Sequence, residues 1–233
     1  MENRYYLKYA VAAARGNLVR TGKSSLLSED LLNTPLELLT EDACRSILSA
    51  AKGEGVKLYY FKKSDRTLPR VNKVIGFLKS VYFENILDVG SGRGVFLLPF
   101  LEEFPSAKVH SVDILEKRYN LLSDIRAGGV SRLSVSKEDI CGTEIPDNSF
   151  DIVTVLEVLE HIPNYTEAIR QAVRIARKFV IITVPSKEDG NPEHIHLLTK
   201  EKLTAALTLP KVKKMTFDGV PCHLFAAAKL EDN

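Results

Sequence analysis

A change of pattern at residue 85 constrains the fold more than any other feature of this chain. From there onward, short runs rich in β-branched residues alternate with segments of helical periodicity. The strand-like runs lie at 86–89, 108–113, 132–136, 150–156 and 179–184. The helix candidates lie at 93–104, 115–127, 164–177 and 199–208. This alternation indicates βαβ units, and therefore a parallel sheet covered by helices on both faces.

Two further strand-like runs end the chain, KVKKMTF at 211–217 and PCHLFAAAKL at 221–230. The dipeptide Asp218-Gly219 between them is a signal for a hairpin turn. We therefore expect an antiparallel pair at the end of the sheet. The predicted fold class is α/β, with a seven-stranded, mostly parallel sheet whose last strand is antiparallel.

The first 84 residues have a different pattern, with leucines and alanines at helical spacing. Helices are predicted at about 6–19, 28–39, 41–51 and 71–81. We therefore divide the chain into a helical N-terminal cap, 1–84, and an α/β domain, 85–233. Residues 1–80 are basic, with 14 Lys and Arg against 8 Asp and Glu, whereas the remainder has 18 against 22.

Composition excludes several classes of protein. The 233 residues, 45% of them hydrophobic, suffice for a full core, and no apolar run approaches the roughly 20 residues of a membrane-spanning helix. Cys44, Cys141 and Cys222 are too few and too scattered for a disulfide framework or a zinc site. We expect a cytoplasmic protein with no membrane partner, whose N terminus forms an ordinary amphipathic helix rather than an organelle transit peptide.

The stretch ILDVGSGRG, residues 86–94, has three alternate glycines where the first strand of the α/β domain meets its helix. In an open parallel sheet, ligands bind outside the carboxyl ends of the strands. Gly90, Gly92 and Gly94 permit positive φ and remove Cβ atoms, so a ligand can lie against the backbone. The alternative is a tight strand-to-helix turn that binds nothing.

Two classes of nucleotide cofactor compete for this turn. The dinucleotide fingerprint is G-x-G-x-x-G, and here the third glycine comes one residue too early, which counts against NAD. An acid at the end of the second strand is expected in both classes, because a carboxylate can accept hydrogen bonds from both ribose hydroxyls. Asp113, in HSVDI, has that position.

Four ordered motifs distinguish the two classes. LDVGSGRG, SVDI, EDI at 138–140 and FDIVTVLEVLEHIPN resemble the motifs of class I S-adenosylmethionine-dependent methyltransferases, particularly the group that contains ubiquinone-biosynthesis O-methyltransferases. The resemblance covers residues 85 to about 229. It implies a Rossmann-like fold, S-adenosyl-L-methionine as the cofactor and a methyl-transfer reaction.

The resemblance also implies how the methionine end of the cofactor is held. The residues expected at the amino-acid group are Asp88, Gly90, Gly92 and Gly94. Leu156 and Glu157, at the end of the fourth strand, are expected to face the sulfonium and methionine portion. A cavity lined by carboxylates tolerates that cation.

The adenosine end is expected at the neighbouring strands. The resemblance implies that Asp113 accepts from the ribose hydroxyls and that Ile114 lies against the adenine. Asp139 would accept from the adenine amino group, with Ile140 on the ring. For Asp139 the alternative is an acid that only begins a turn.

The candidate catalytic residues are His161 and Glu157, in EVLEHIPN. Methyl transfer is an in-line displacement in which the protein aligns the acceptor and sometimes removes a proton. The resemblance implies that His161 lies near the methyl group, where histidine suits a general base for a hydroxyl acceptor. The alternative is a histidine that braces the loop. We expect an acceptor oxygen or nitrogen on a small molecule.

An RNA substrate is the first alternative. Glu157, Glu160, His161 and His194 resemble the metal ligands of small-RNA 3′-terminal 2′-O-methyltransferases, and such ligands suit Mg²⁺ or Mn²⁺. The sequence departs from that family after His194, where 195–198 is IHLL instead of an aromatic-acid-aromatic run. We therefore predict no metal site. A second alternative is a regulator that binds the cofactor without catalysis.

The basic, aromatic stretch YYFKKSDRTLPR bears on both kinds of acceptor. It contains Tyr59, Tyr60, Phe61, Lys62, Lys63, Arg66 and Arg70, with Lys73 soon after. In an RNA enzyme these residues would stack on bases and contact phosphates. In a small-molecule enzyme, the aromatic residues and Arg70 would form a lid over a planar or anionic acceptor. The plain alternative is that the aromatic side chains pack helices onto the sheet.

Overall fold

The computed structural model describes residues 2–58, 68–188 and 190–231, with side chains from residue 7 onward. The N-terminal part is helical, as predicted. Its helices are α1 (Glu2–Arg20), α2 (Glu29–Asn33), α3 (Glu41–Gly53) and α4 (Pro69–Leu78). The helix predicted over 28–39 ends early because Pro35 holds Thr34 in an extended conformation. A short 3₁₀ turn, Leu36–Leu38, follows.

The sheet has the seven strands predicted for it. They are β1 (Asn85–Val89), β2 (Lys108–Val112), β3 (Leu133–Ser136), β4 (Phe150–Leu156), β5 (Ala176–Pro185), β6 (Val212–Val220) and β7 (His223–Leu230). Their order is β3-β2-β1-β4-β5-β7-β6. The pairs among β1 to β5 are parallel, and β7 runs antiparallel to both β5 and β6. This confirms the Rossmann-like fold class with an antiparallel last strand.

Helices cover both faces of the sheet, as predicted. They include α5 (Leu97–Glu103), α6 (Glu116–Ala127), α7 (Tyr165–Ile175) and α8 (Lys200–Leu207). Successive residues of a strand point to opposite faces. Accordingly, Ile86 and Ile152 share one core with α1, α4, α5 and α6, whereas Leu87 and Val153 share the other with α7 and α8.

The prediction of a hairpin turn at Asp218-Gly219 is wrong. Both residues lie within β6 and pair with Phe225 and Leu224. The chain turns at 221–222 instead, because Pro221 has no N–H to donate to the ladder. This longer β6 places the first residue of β7 beside the carboxyl end of β5.

The first helix packs tightly on α6. Tyr9 and Leu18 are fully buried. The Arg15 guanidinium donates to the carbonyl oxygens of Gly128, after α6, and Thr34, after α2. The N-terminal extension therefore shares a hydrophobic core with the sheet, and its separation as a cap at residue 84 stays a prediction. Among the described residues, no helix combines the length and apolar character needed to cross a bilayer.

Candidate functional site

The glycine turn lies at the carboxyl end of β1, where the strand order reverses between β2 and β4. Gly90, Gly92 and Gly94 all have positive φ, at 66°, 59° and 87°. A Cβ atom on Gly90 would lie 2.5 Å from Val158, and one on Gly94 would lie 2.8 Å from Leu98. A Cβ on Gly92 would have no heavy atom nearer than 3.8 Å. Two of the glycines therefore allow close packing, and Gly92 leaves bare backbone facing open space.

Asp88 is buried beneath this turn, at 2% exposure. The Thr154 hydroxyl donates to its Oδ1 over 2.6 Å, and the Ser91 hydroxyl donates to its Oδ2. Burial raises the pKa of Asp88 to about 6, although both hydroxyl donors oppose the rise. The side chain is therefore a hydrogen-bonded carboxyl whose charge changes in the mildly acidic range.

Asp113, just after β2, joins the second strand to the glycine turn. Its Oδ2 accepts from the Gly92 N–H over 3.0 Å, and its Oδ1 accepts from the Leu115 N–H over 2.9 Å. Each carboxylate oxygen can accept more than one hydrogen bond, so both remain able to bind a ligand hydroxyl. The two backbone donors therefore fix the carboxylate without using its full capacity.

Two cavities open at this edge of the sheet. The inner cavity, about 210 Å³, lies beside the start of α4, and its lining includes Arg70, Asp88, Phe96 and Thr183. The outer cavity is about 540 Å³, and its lining includes Asp113, Ile114, Asp139, Ile140 and His161. Residues common to both linings are Gly90, Gly92, Arg118 and Glu157. These shared residues join the cavities into one groove.

The outer cavity combines apolar surface with hydrogen-bond acceptors. Ile114 is 60% exposed there, whereas Ile140 is buried. Asp139 caps a 3₁₀ turn at Ile140–Gly142 by accepting from the Cys141 N–H over 2.9 Å. Both readings of Asp139 from the sequence are therefore compatible with its position, because a turn-capping acid also lines the cavity.

Glu157 follows β4, lines both cavities and has a constrained backbone conformation. Its φ is 57°, in the left-handed region, which costs a non-glycine residue on the order of 1–3 kcal/mol. Its N–H donates to the Thr183 carbonyl, and its Oε1 accepts from the Thr183 hydroxyl, both over 2.9 Å. Its Oε2 lies 2.9 Å from Nε2 of His223 and 3.8 Å from Nε of Arg70. Side chains from three elements therefore surround this carboxylate.

His161 is the exposed last residue of a 3₁₀ turn, Leu159–His161, and lines the outer cavity. Its Nδ1 is 2.9 Å from the Glu193 carbonyl oxygen, and a carbonyl only accepts, so Nδ1 carries the hydrogen. Nε2 is then the proton-accepting nitrogen. Glu160 is buried, and its potential ligand atom lies within 4.8 Å of those of His161 and His194. Three members of the suggested metal-ligand set are thus close together, whereas Glu157 contacts Thr183 and His223.

The predicted cofactor residues do not all lie in the groove. The linings include Asp88, Gly90, Gly92, Asp113, Ile114, Asp139, Ile140, Leu156 and Glu157. Gly94 belongs to neither lining and makes room for Leu98. Thr183 and His223 were missed by the sequence analysis. The end of β5 beside β4 was the available signal for Thr183, and the misplaced hairpin turn concealed His223.

The candidate lid and nucleic-acid residues divide into two groups. Those outside the described residues are Tyr59, Tyr60, Phe61, Lys62, Lys63 and Arg66. Arg70 is described and lines the inner cavity from the first turn of α4. Lys73 contacts Asp218 on the edge strand β6 instead. The two described residues of this set, Arg70 and Lys73, therefore have different contacts.

The groove fits the cofactor implied by the sequence. A side chain at residue 92 would occupy space where the two cavities meet, so the glycine leaves a cradle for a ligand. Carboxylates of Asp113 and Asp139 accept from hydroxyl and amino groups, and exposed Ile114 offers apolar surface to a ring. These acceptors and this apolar surface suit adenosine in the outer cavity, which leaves the inner cavity for the amino-acid group.

The chain is similar in sequence to known methyltransferases. The sequence profile described as "Methyltransferase domain" matches residues 87–182. Over 174 residues, the chain is 25% identical to 27-O-demethylrifamycin SV methyltransferase of Amycolatopsis mediterranei, with 68% of this chain and 64% of the relative covered. Over 114 residues, it is 27% identical to phosphoethanolamine N-methyltransferase of Plasmodium falciparum, with 47% and 42% covered. The chain thus spans about two fifths to two thirds of these relatives.

A solved structure shares the fold. A SAM dependent methyltransferase from Aquifex aeolicus aligns with a TM-score of 0.57 and 20% identity, over 70% of this chain and 91% of that one. The matched profile spans the glycine turn, the end of β2 and the end of β4, which form the groove. Residues 87–182 of this chain therefore match a methyltransferase domain, and the chain has the fold of an S-adenosylmethionine-dependent methyltransferase.

Proposed function

We propose that this protein transfers the methyl group of S-adenosylmethionine to an oxygen or nitrogen atom of a small molecule. The observation that carries the proposal is the single groove formed by the inner and outer cavities, with Gly92 and Glu157 at their junction. A methyl donor bound along it would have its reactive centre near that junction. When bound, the cofactor supplies an electrophilic methyl group on a sulfonium sulfur.

The residues of the groove would bind the two ends of the cofactor. Asp113 accepts from the ribose hydroxyls with a carboxylate already fixed by two backbone N–H groups. Asp139 accepts from the adenine amino group, and Ile114 and Ile140 pack on the ring. Asp88, Gly90, Gly92 and Gly94 form the turn at the amino-acid end. Leu156 lines the inner cavity beside Glu157.

Two residues would act on the acceptor. His161 holds its Nδ1–H on the Glu193 carbonyl, so Nε2 can take a proton from an acceptor hydroxyl or amine. Glu157 presents a fixed carboxylate between the cavities, where it favours the cationic sulfonium. Arg70, at the start of α4, contributes a cation to the wall of the inner cavity, and we assign α4 to the predicted lid region.

The names of the relatives support a small acceptor. One relative is named for a 27-O-demethylated rifamycin and the other for N-methylation of phosphoethanolamine. Both names specify small molecules, and together they include oxygen and nitrogen chemistry. Cys44, Cys141 and Cys222 are free thiols, which suits the cytoplasmic compartment expected from the sequence.

The test is a labelling experiment. Purified protein is incubated with methyl-labelled S-adenosylmethionine and a cell extract separated into small-molecule, RNA and protein pools, with and without a chelator. Label in the small-molecule pool that survives chelation supports the proposal. Label in no pool contradicts it and favours the silent, cofactor-binding regulator.

An RNA 2′-O-methyltransferase is the second candidate, on one specific observation. Glu160, His161 and His194 lie close enough together to bind one divalent cation. Chelator-sensitive label in the RNA pool, lost in Glu160→Ala and His194→Ala, would support this candidate. Glu157, the fourth residue of the suggested metal-ligand set, contacts Thr183 and His223 instead of the other three. This favours the small-molecule proposal.

A further inference from the structure

His223 makes two hydrogen-bonding contacts that together determine where a proton lies. Its Nδ1 is 2.9 Å from the Pro221 carbonyl oxygen, and its Nε2 is 2.9 Å from Oε2 of Glu157. The carbonyl can only accept, so Nδ1 carries a hydrogen. The contact between Nε2 and Oε2 then requires one proton between them, because two lone pairs would repel. The imidazole is thus a hydrogen-bonded partner of the carboxylate.

The sheet brings this pair together from distant parts of the sequence. Leu156, before Glu157, pairs with Thr183 on β5. Pro185, two residues further along β5, pairs with His223 at the start of β7. The turn at 221–222 includes Cys222 with a positive φ of 64°. The ends of β4 and β5 and the beginning of β7 therefore converge on one carboxylate.

Arg70 approaches the same carboxylate oxygen as His223. Its Nε is 3.8 Å from the same Oε2 atom, beyond hydrogen-bond distance but within reach of a small side-chain movement. Arg70 and Glu157 are therefore already within ion-pair distance, and in a variant without His223 we expect the carboxylate to move toward Arg70. That movement would take the carboxylate toward the wall of the inner cavity that Arg70 lines.

We propose that His223 is a positioning residue for methyl transfer, which acts by fixing the carboxylate of Glu157 at the junction of the inner and outer cavities. The inference rests on the proposed function. It assigns the reaction a residue from the β6–β7 hairpin, which belongs to neither cavity lining. His223 acts through Glu157 and need not touch the cofactor or the acceptor.

Two variants at one position test the inference. His223→Leu removes the donor to Glu157, whereas His223→Gln supplies an amide donor. We expect kcat of His223→Leu to fall by about 100-fold, because a misplacement of about 1 Å costs that much. The dissociation constant for S-adenosylmethionine should rise by no more than about tenfold, since Glu157 is only one of its proposed contacts and those at the outer cavity are unchanged. His223→Gln should recover at least a tenth of the wild-type kcat, a rescue of roughly tenfold.

The results distinguish a positioning role of His223 from a role in stabilising the hairpin. Equal kcat in wild type and His223→Leu would overturn the inference, as would equal losses in the leucine and glutamine variants. A wild-type protein that labels no pool overturns the proposed function instead. A measurement independent of turnover is the ¹⁵N NMR spectrum of the His223 ring. Glu157→Gln should shift the Nε2 resonance and leave Nδ1 nearly unchanged, and an unaffected Nε2 signal would also overturn the inference.

Discussion

The backbone N–H of Gly92 donates a hydrogen bond to Oδ2 of Asp113 over 3.0 Å. This contact ties the glycine turn after β1 to the end of β2, and so links the two motifs that we propose bind the cofactor. The Leu115 N–H donates to the other carboxylate oxygen. Asp113 therefore has a structural role in the turn as well as the binding role proposed for it, and its variants must be designed to separate the two.

Replacement of Asp113 tests the cofactor site. We expect Asp113→Ala to weaken S-adenosylmethionine binding by about 10- to 100-fold, the loss expected for hydrogen bonds to a charged group. Asp113→Asn should lie between alanine and wild type, because one amide oxygen can still accept from Gly92. Isothermal titration calorimetry measures the affinities. Asp30→Ala, at an exposed acid in α2, is the control, and unchanged affinity in Asp113→Ala would refute the site assignment.

Gly92→Ala tests whether the bare backbone serves a ligand. Alanine in the left-handed region costs about 1–2 kcal/mol, and its methyl group would occupy the groove between the cavities. We expect at least a tenfold rise in the dissociation constant for the cofactor, roughly 1.4 kcal/mol or more. Gly76→Ala, at an exposed position of α4 with open space around its Cβ, should bind normally and be slightly more stable. Equal binding by both variants would contradict the role of Gly92.

The sequence predicted the sheet well because local signals and long-range topology agree there. The predicted run 150–156 coincides with β4, and the acids and glycines at strand ends meet because parallel strands share a carboxyl edge. Gly94 shows the limit of motif reasoning. Its missing side chain makes room for Leu98, a contact that sequence spacing does not distinguish from ligand contact.

The position of the hairpin turn and the packing of the N-terminal helix could not be derived in the same way. Asp218-Gly219 has the local signal of a turn, yet pairing with Leu224 and Phe225 extends β6 past it. That shift is what brings His223 to Glu157. The fit of α1 on α6 depends on Gly16 and Gly128, where a Cβ atom would collide with the backbone of the other helix. Periodicity carries no information about such a distant pair.

The approach of α1 to α6 gives a prediction for stability. A Cβ on Gly128 would lie 1.8 Å from the carbonyl oxygen of Ala12, although its own φ of −78° is ordinary. Gly128→Ala should therefore lower the free energy of unfolding by about 1–3 kcal/mol, the usual cost of overpacking. Urea denaturation measures the change. Gly53→Ala, in α3 with open space around it, is the matched control. Equal stability of the two variants would show that α1 and α6 can move apart without cost, which contradicts the prediction.

The raised pKa of Asp88 predicts a pH dependence of stability. Its pKa of about 6 exceeds the ordinary 3.8, so between these values the folded protein holds a proton that the unfolded chain has lost. This group therefore lowers the free energy of unfolding as the pH rises from about 4 to 6, by up to about 3 kcal/mol. Relative to wild type, Asp88→Asn should gain that amount between pH 4 and pH 7. Asp30→Asn is the control, and a pH-independent difference for Asp88→Asn would contradict the prediction.

Variants of His161 test whether this residue acts as a general base or only braces its loop. If its Nε2 takes the acceptor proton, His161→Ala should lower kcat by about 10²- to 10⁴-fold while S-adenosylmethionine affinity is preserved. If the histidine only braces the loop through Glu193, His161→Asn should retain the carbonyl contact and restore activity. His194→Ala is the matched control, because its ring lies 4.8 Å away in an edge-to-face arrangement. Single-turnover rates with and without a chelator separate the roles. A large loss of rate in His161→Ala alone, unaffected by the chelator, identifies His161 as a base. Equal losses of rate in both histidine variants, matched by the effect of the chelator on wild type, would indicate a metal site and contradict the prediction that there is no metal site.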